Sequence, residues 1–280
     1  MQLPLFYVDD LIKAAIKEDI HYLDTTTDLM IPEESRSTAR FMAKAEGVVC
    51  GLEVALRVFQ LLDDSFTYQV RLPEGSEVKP GDIIAELEGR TRFLLKGERT
   101  ALNLLQHMSG VATATRRAVK LVEGTPASIT DTRKTLPGLR ALQKYAVTVG
   151  GGKNHRFNLS DGAMLKDNHI DAAGGIPQAV AAIRDRLGHM VKLEVETRNL
   201  EEVRQALEAG ADVIMMDNMD CAAMAEAVRL VDGRALLEAS GGITDDTLRA
   251  VAETGVDIIS IGALTHTVKA ADISLKFQIS

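Results

Sequence analysis

The chain has 280 residues, 46% hydrophobic and 26% charged, with a net charge of −8; this is ordinary globular usage, long enough to bury a substantial core, and it excludes a disordered or fibrous chain. No apolar run approaches the roughly 18 residues a bilayer crossing needs, and the acidic balance argues against general nucleic-acid binding. The start, Met1-Gln2-Leu3-Pro4, lacks the basic and apolar regions of a secretory signal, and Cys50 and Cys221 stand far apart, so a reduced cytoplasmic setting without a disulfide framework or zinc site is expected.

In chain order, a short amphipathic helix is expected over 9–18, with Leu11, Ile12, Ala15 and Ile16 on one face. Residues 38–50 and 66–72 read as strands, with turns at Leu72-Pro73-Glu74-Gly75 and Lys79-Pro80-Gly81-Asp82. A helix over 97–123, with Leu102, Leu105, Met108, Ala112 and Val119 as its buried stripe, joins this α+β segment to the C-terminal half. Strands are then expected at 127–131, 163–166, 191–196, 213–217, 235–239 and 257–261, the last four centred 21 or 22 residues apart. Helical patterns lie between them, one over 176–187 and others carrying Val203 and Leu207, Ala227 and Val231, Leu248 and Val251. Asn199 and Thr244 are suited to N-caps, and Gly210 and Gly255 to stops. Strand–helix units of this length make a parallel sheet. The expected fold is α/β: an N-terminal α+β domain over 1–108, a TIM-like barrel short of eight strands over 109–267, and a C-terminal segment over 268–280 packing back on the N-terminal domain.

Such barrels build their sites where strands end, and the polar residues collect there: Asp131-Thr132-Arg133-Lys134-Thr135, Leu165-Lys166-Asp167-Asn168, Glu194-Val195-Glu196, Met216-Asp217-Asn218, Glu238-Ala239-Ser240-Gly241-Gly242 and Ser260-Ile261-Gly262. Residues 131–166 hold seven Lys/Arg against two acids in an acidic chain, a basic island suited to a small polyanion. Lys192, Glu194 and Glu196 share one strand face. Glu194 and Glu238, within strands, fit either an ion-pair network lining the barrel or a site; Glu196 and Asp217, at strand ends, point more strongly to a site. The Gly150-Gly151-Gly152 run before Lys153-Asn154-His155-Arg156 could form an anion nest. The loops at Ser240–Gly242 and Ser260–Gly262 stand where barrels hold phosphate. No HExxH or cysteine–histidine cluster suggests a protein-bound metal, no G-x-S-x-G suggests a serine hydrolase, and no G-x-G-x-x-G suggests a dinucleotide.

Together with Glu98-Arg99-Thr100-Ala101-Leu102-Asn103, Gln106-His107-Met108-Ser109-Gly110, Lys166-Asp167-Asn168-His169 and Gly262-Ala263-Leu264-Thr265-His266, these segments resemble, in order and spacing, the quinolinate phosphoribosyltransferase (nicotinate-nucleotide pyrophosphorylase) family over nearly the whole chain. The resemblance implies transfer of phosphoribosyl from phosphoribosyl pyrophosphate to quinolinate with decarboxylation, a step of NAD synthesis. It implies magnesium bound with phosphoribosyl pyrophosphate rather than by a dedicated protein site, and an open α/β sandwich packed on an incomplete barrel. It also implies a homodimer with shared sites, with no membrane or nucleic-acid partner. It gives quinolinate to Arg133, Arg156 and Lys166, with Lys134 and His155 completing a cationic wall and Arg99 arriving from the partner subunit. Thr132 stands beside this wall. Glu196 and Asp217 would engage ribose hydroxyls and the magnesium–pyrophosphate assembly and, with Lys134, carry catalysis; Ser240, Gly241, Gly242, Ser260 and Gly262 would take the 5′-phosphate. Asn158 stands where the family usually has glycine, and asparagine is expected to tolerate a left-handed backbone there. The alternatives are a related barrel family of molybdenum-transport operons, which shares Thr132-Arg133-Lys134-Thr135, a Schiff-base lyase using Lys166, and a non-catalytic binder.

Overall fold

The computed structural model describes residues 3–278. Its elements form two compact units, the first taking the chain up to Arg116, Leu136–Gly151 and the chain from Thr267 on, the second Arg117–Thr135 and Gly152–His266.

The first unit opens with helices α1 (Leu5–Asp19) and α2 (Thr25–Met30), then β1 (Arg36–Ala43), β2 (Gly47–Val48), α3 (Leu52–Leu62), β3 (Thr67–Val70), β4 (Glu77–Val78), β5 (Ile83–Arg90) and the long helix α4 (Thr91–Leu121), within which the division falls. Alternation along β1 buries Ala39, Phe41 and Ala43 on one face. They join Phe59 of α3, Ile84 and Leu87 of β5, and Leu105 and Met108 of α4 in one core. The stretch expected as a single strand over 38–50 is two, β1 and β2, broken by a turn at 44–46. The helix expected from Gly97 begins six residues earlier at Thr91.

The second unit continues with β6 (Ser128–Thr130); α5 (Arg140–Val149), next in the chain, belongs to the first unit. There follow β7 (Ala163–Leu165), α6 (Asp167–Ala173), α7 (Ile176–Arg184), β8 (Leu193–Thr197), α8 (Leu200–Glu208), β9 (Val213–Asp217), α9 (Cys221–Val231), β10 (Leu236–Ser240), α10 (Asp245–Glu253), β11 (Ile258–Ser260) and α11 (Ala263–His266). The last strand, β12 (Ile273–Gln278), belongs to the first unit and runs antiparallel to β1, completing the sheet β12-β1-β5-β3. In the second unit the six strands lie parallel in the order β6-β11-β10-β9-β8-β7, with β6 and β7 as edges, so the barrel is open. Asn199 caps α8 by accepting the Glu202 N–H, and Thr244 caps α10.

The division departs from the expected boundaries at residues 136–151, which the sequence pattern assigns to the barrel. The apolar face of α5 explains this: Leu142, Ala146 and Val147 are buried in the core of the first unit with Leu105, Met108 and Val111. Gly150, at the end of α5, lies so close to α4 that a Cβ would stand 2.6 Å from the Ala112 carbonyl oxygen. The Gly150 and Gly151 amides are spent on the Ala146 and Thr148 carbonyls, so this run is a helix terminus, and the anion nest expected there does not form.

Candidate active site

At the carboxyl ends of the parallel strands the second unit encloses a cavity of about 610 Å³. Thr132, Arg133 and Lys134 beyond β6, His155 and Arg156 before β7, and Lys166 beyond it line the cavity. So do Glu196 on β8, Asp217 on β9, Ser240, Gly241 and Gly242 from β10 and its turn, and Ser260 on β11. Two predicted residues are elsewhere. Gly262 supports the wall from behind, where a Cβ would stand 2.9 Å from Lys134 Cδ. Arg99 is exposed on α4 in the first unit, lining a separate pocket of about 150 Å³ with Asn103, Glu18 and Asp19. Of the basic island, Arg140 and Lys144 fall on α5 in the first unit, and Lys153 donates to Ser128 Oγ at 2.9 Å instead of lining the cavity.

The loop after β6 is tied by Thr132 Oγ1, which accepts the Lys134 N–H at 3.0 Å, and by Thr265 Oγ1, which donates to the Lys134 carbonyl at 2.7 Å. Arg156 donates to the Gly162 carbonyl at 2.8 Å. Burial and then the Arg133 guanidinium push the Arg156 pKa down, against the opposing pull of Glu194. Among the described residues neither arginine stands within ion-pair distance of a carboxylate, and Arg133 Nε is buried without a hydrogen-bond partner. Asn158, expected to be left-handed, has an ordinary backbone; its side chain accepts the Ser160 N–H while its own N–H donates to Asp161.

The acids line the same cavity. Glu196 lies 3.7 Å from Lys166 Nζ; burial raises its pKa, Lys166 opposes this, and Asp217 adds to it. Asp217 accepts from Asn218 Nδ2 at 3.0 Å. Asn218 takes a left-handed backbone (φ 55) and its side chain abuts the turn at Gly241, which is also left-handed (φ 96); a Cβ on Gly241 would stand 2.3 Å from Asn218 Oδ1. Only glycine fits there.

Sequence reasoning leaves Glu194 and Glu238 open between two roles; in the fold they meet His155 beneath the cavity. His155 Nδ1 accepts the Arg156 N–H, which puts the ring proton on Nε2, 3.0 Å from Glu194 Oε2 and 3.6 Å from Glu238 Oε2. The three donor atoms lie within 4.8 Å of one another, a cluster no sequence spacing foretells. Glu238 itself lines the cavity. Burial, then the Glu194 charge, push its pKa up to about 7 against the opposing pull of His155. Oε1 of each glutamate, Thr130 Oγ1 and Ser260 Oγ are buried without a hydrogen-bond partner. Lys166, half exposed and beside Glu196, lacks the apolar enclosure that a Schiff-base lysine needs.

An open parallel α/β sheet with a cationic cavity at its strand ends defines the class: an α/β enzyme for small polyanionic substrates. Family models described as the quinolinate phosphoribosyl transferase N-terminal and C-terminal domains match residues 24–109 and 111–276. The chain is 46% identical over 263 residues to the probable nicotinate-nucleotide pyrophosphorylase [carboxylating] of Bacillus subtilis (strain 168), covering 94% of this chain and 91% of that one. It is similar to the crystal structure of NadC from Streptococcus pyogenes (TM-score 0.96, 40% identity, all of both chains). It is also similar to the nicotinate-nucleotide pyrophosphorylase from Francisella tularensis (TM-score 0.95, 40% identity, 99% of this chain and 98% of that one). The chain therefore belongs to the quinolinate phosphoribosyltransferase family, pentosyltransferases of NAD biosynthesis.

Proposed function

We propose that this cavity joins quinolinate to the phosphoribosyl group of phosphoribosyl pyrophosphate, giving nicotinate mononucleotide, pyrophosphate and carbon dioxide. The observation that carries the reading is that Arg133 and Arg156 line one cavity close enough for the Arg133 charge to push the Arg156 pKa down. A dicarboxylate removes their mutual repulsion and accepts bidentate hydrogen bonds. Lys166 and His155 extend this wall. Glu196, 3.7 Å from Lys166, and Asp217 accept from the ribose hydroxyls and stabilise positive charge at the anomeric carbon as pyrophosphate departs. Lys134 draws off the leaving group's charge, and magnesium arrives on the pyrophosphate as part of the substrate. The turns at Ser240–Gly242 and Ser260–Gly262 offer backbone N–H groups to the 5′-phosphate. The ring nitrogen of quinolinate is the nucleophile, so the chain supplies position and charge and no covalent partner.

The functional form is a homodimer in which Arg99 of each subunit enters its partner's site. The exposure of Arg99 supports this, as does a set of exposed apolar side chains near the N-terminus, among them Phe6, Tyr22, Leu29 and Met30, each at least 68% exposed. A cytoplasmic setting fits the two free cysteines, and among the described residues no helix is long and apolar enough to cross a membrane. Calorimetric titration tests the site reading: quinolinate should bind at least tenfold more tightly than nicotinate, which has one carboxylate. Equal affinity would refute the guanidinium clamp.

A further inference from the structure

We propose that Glu238 is the acid that hands a proton to C2 of the pyridine ring after the C2 carboxylate has left as carbon dioxide. This deepens the reaction proposed above and rests on it. The chemistry demands such an acid. Once the ring nitrogen carries the ribose it is a pyridinium, and it stabilises an electron pair on the adjacent carbon. The C2–carboxylate bond then breaks, carbon dioxide departs, and the pair remains on C2. A C2–H bond must form, and its proton must come from a group at the cavity wall.

Arg133, Arg156 and Lys166 are taken up in binding the substrate's carboxylates, and Glu196 stands beside the Lys166 charge. Glu238 differs from both. Its side chain is 2% exposed yet lines the cavity, and its Oε1 is without a hydrogen-bond partner. Each element packed around it bears on its charge. Glu194 on β8 presents a carboxylate that already accepts the His155 Nε2 proton at 3.0 Å. His155, from the loop before β7, lies 3.6 Å away. Asp131, just beyond β6, adds a further buried negative charge and accepts the His155 N–H at 2.9 Å. Met215 on β9 is uncharged, and the Ser260 hydroxyl on β11 favours the ionised form without outweighing burial and Glu194. Two buried acids around one imidazole proton leave Glu238 as the member that stays neutral, and a neutral acid does not repel a dianionic substrate. In the step, the Glu238 O–H bond breaks as C2–H forms, and the resulting carboxylate recovers its proton from water.

Single-turnover kinetics on the full chain, with quinolinate and magnesium phosphoribosyl pyrophosphate, test this. In Glu238→Gln, pyrophosphate should appear within threefold of the wild-type rate, whereas carbon dioxide and nicotinate mononucleotide should form at least about 100-fold more slowly. If both steps slow alike, or neither slows, Glu238 is not the donor. Wild-type protein gives a test independent of any variant. Its carbon dioxide step should fall tenfold per pH unit above about pH 7, as the acid ionises, while its pyrophosphate step should not; a flat carbon dioxide profile would overturn the assignment. Wild-type protein that releases no pyrophosphate from this substrate pair would refute the reaction itself, an outcome distinct from failure of the donor.

Discussion

Arg133 and Arg156 are brought together by short tethers, the Thr132 and Thr265 hydroxyls around the Lys134 backbone and the Gly162 carbonyl on Arg156. The folded chain thus carries a repulsion that Glu194 opposes and a bound anion relieves further. Replacing Arg133 with alanine should cost about 2–4 kcal/mol in transition-state binding, a fall of roughly 30- to 700-fold in kcat/KM for quinolinate with little change in melting temperature; unchanged kcat/KM in a folded variant would refute the role. The cations are legible in the sequence because they follow apolar strands, where a charged side chain has little to do but meet a ligand. Glu194 and Glu238 are less legible. A charge inside a strand reads as a lining ion pair or as site chemistry, and only the fold shows both beside His155, 39 and 83 residues away in sequence. Asn158 shows the converse. Asparagine permits a left-handed backbone without requiring one, and here the Asp161 carboxylate organises the loop instead.

Among the elements, the β10 turn carries the tightest constraint. Gly241→Ala would force a Cβ into Asn218 at a left-handed position, at a cost on the order of 1–3 kcal/mol. The KM for phosphoribosyl pyrophosphate should then rise at least tenfold while quinolinate affinity holds; an unaltered KM would mean that the turn does not serve the phosphate. In the first unit, Asp63 at the end of α3 accepts from the Arg90 N–H, Arg90 Nε and Ser65. Burial raises its pKa, but these hydrogen bonds outweigh burial and hold it well below the usual carboxylate range. A depressed folded pKa stabilises above the unfolded value near 3.9, and that stability is lost as pH falls below it. Asp63→Asn should therefore cost roughly 1–3 kcal/mol at pH 6 and less at pH 3, read from urea midpoints; an equal cost at both would show that the charge is not what matters. The regular βα elements are legible because caps, apolar spacing and glycine stops agree. Gly97 reads as a helix boundary because glycine usually marks an end. It lies inside α4, and it is glycine because a Cβ there would stand 2.8 Å from the Phe59 ring, a tertiary reason invisible to local pattern.

For the whole molecule, the interleaving of the two units is the least legible feature, since nothing local marks α5 as belonging with residues 30 to 40 positions earlier. Shared sites make a prediction at this scale. An inactive Arg99→Ala subunit mixed with an inactive Lys166→Ala subunit should recover up to about a quarter of wild-type activity, because random exchange makes about half the dimers mixed, each with one intact site. Verified exchange without recovery would refute the shared site. The central claim is the chemistry of the cavity, and steady-state turnover measures it most directly. With quinolinate and magnesium phosphoribosyl pyrophosphate, pyrophosphate and carbon dioxide should be released in equal amounts alongside nicotinate mononucleotide, and nicotinate should not substitute. Equal turnover with nicotinate, or pyrophosphate release without carbon dioxide, would contradict the account.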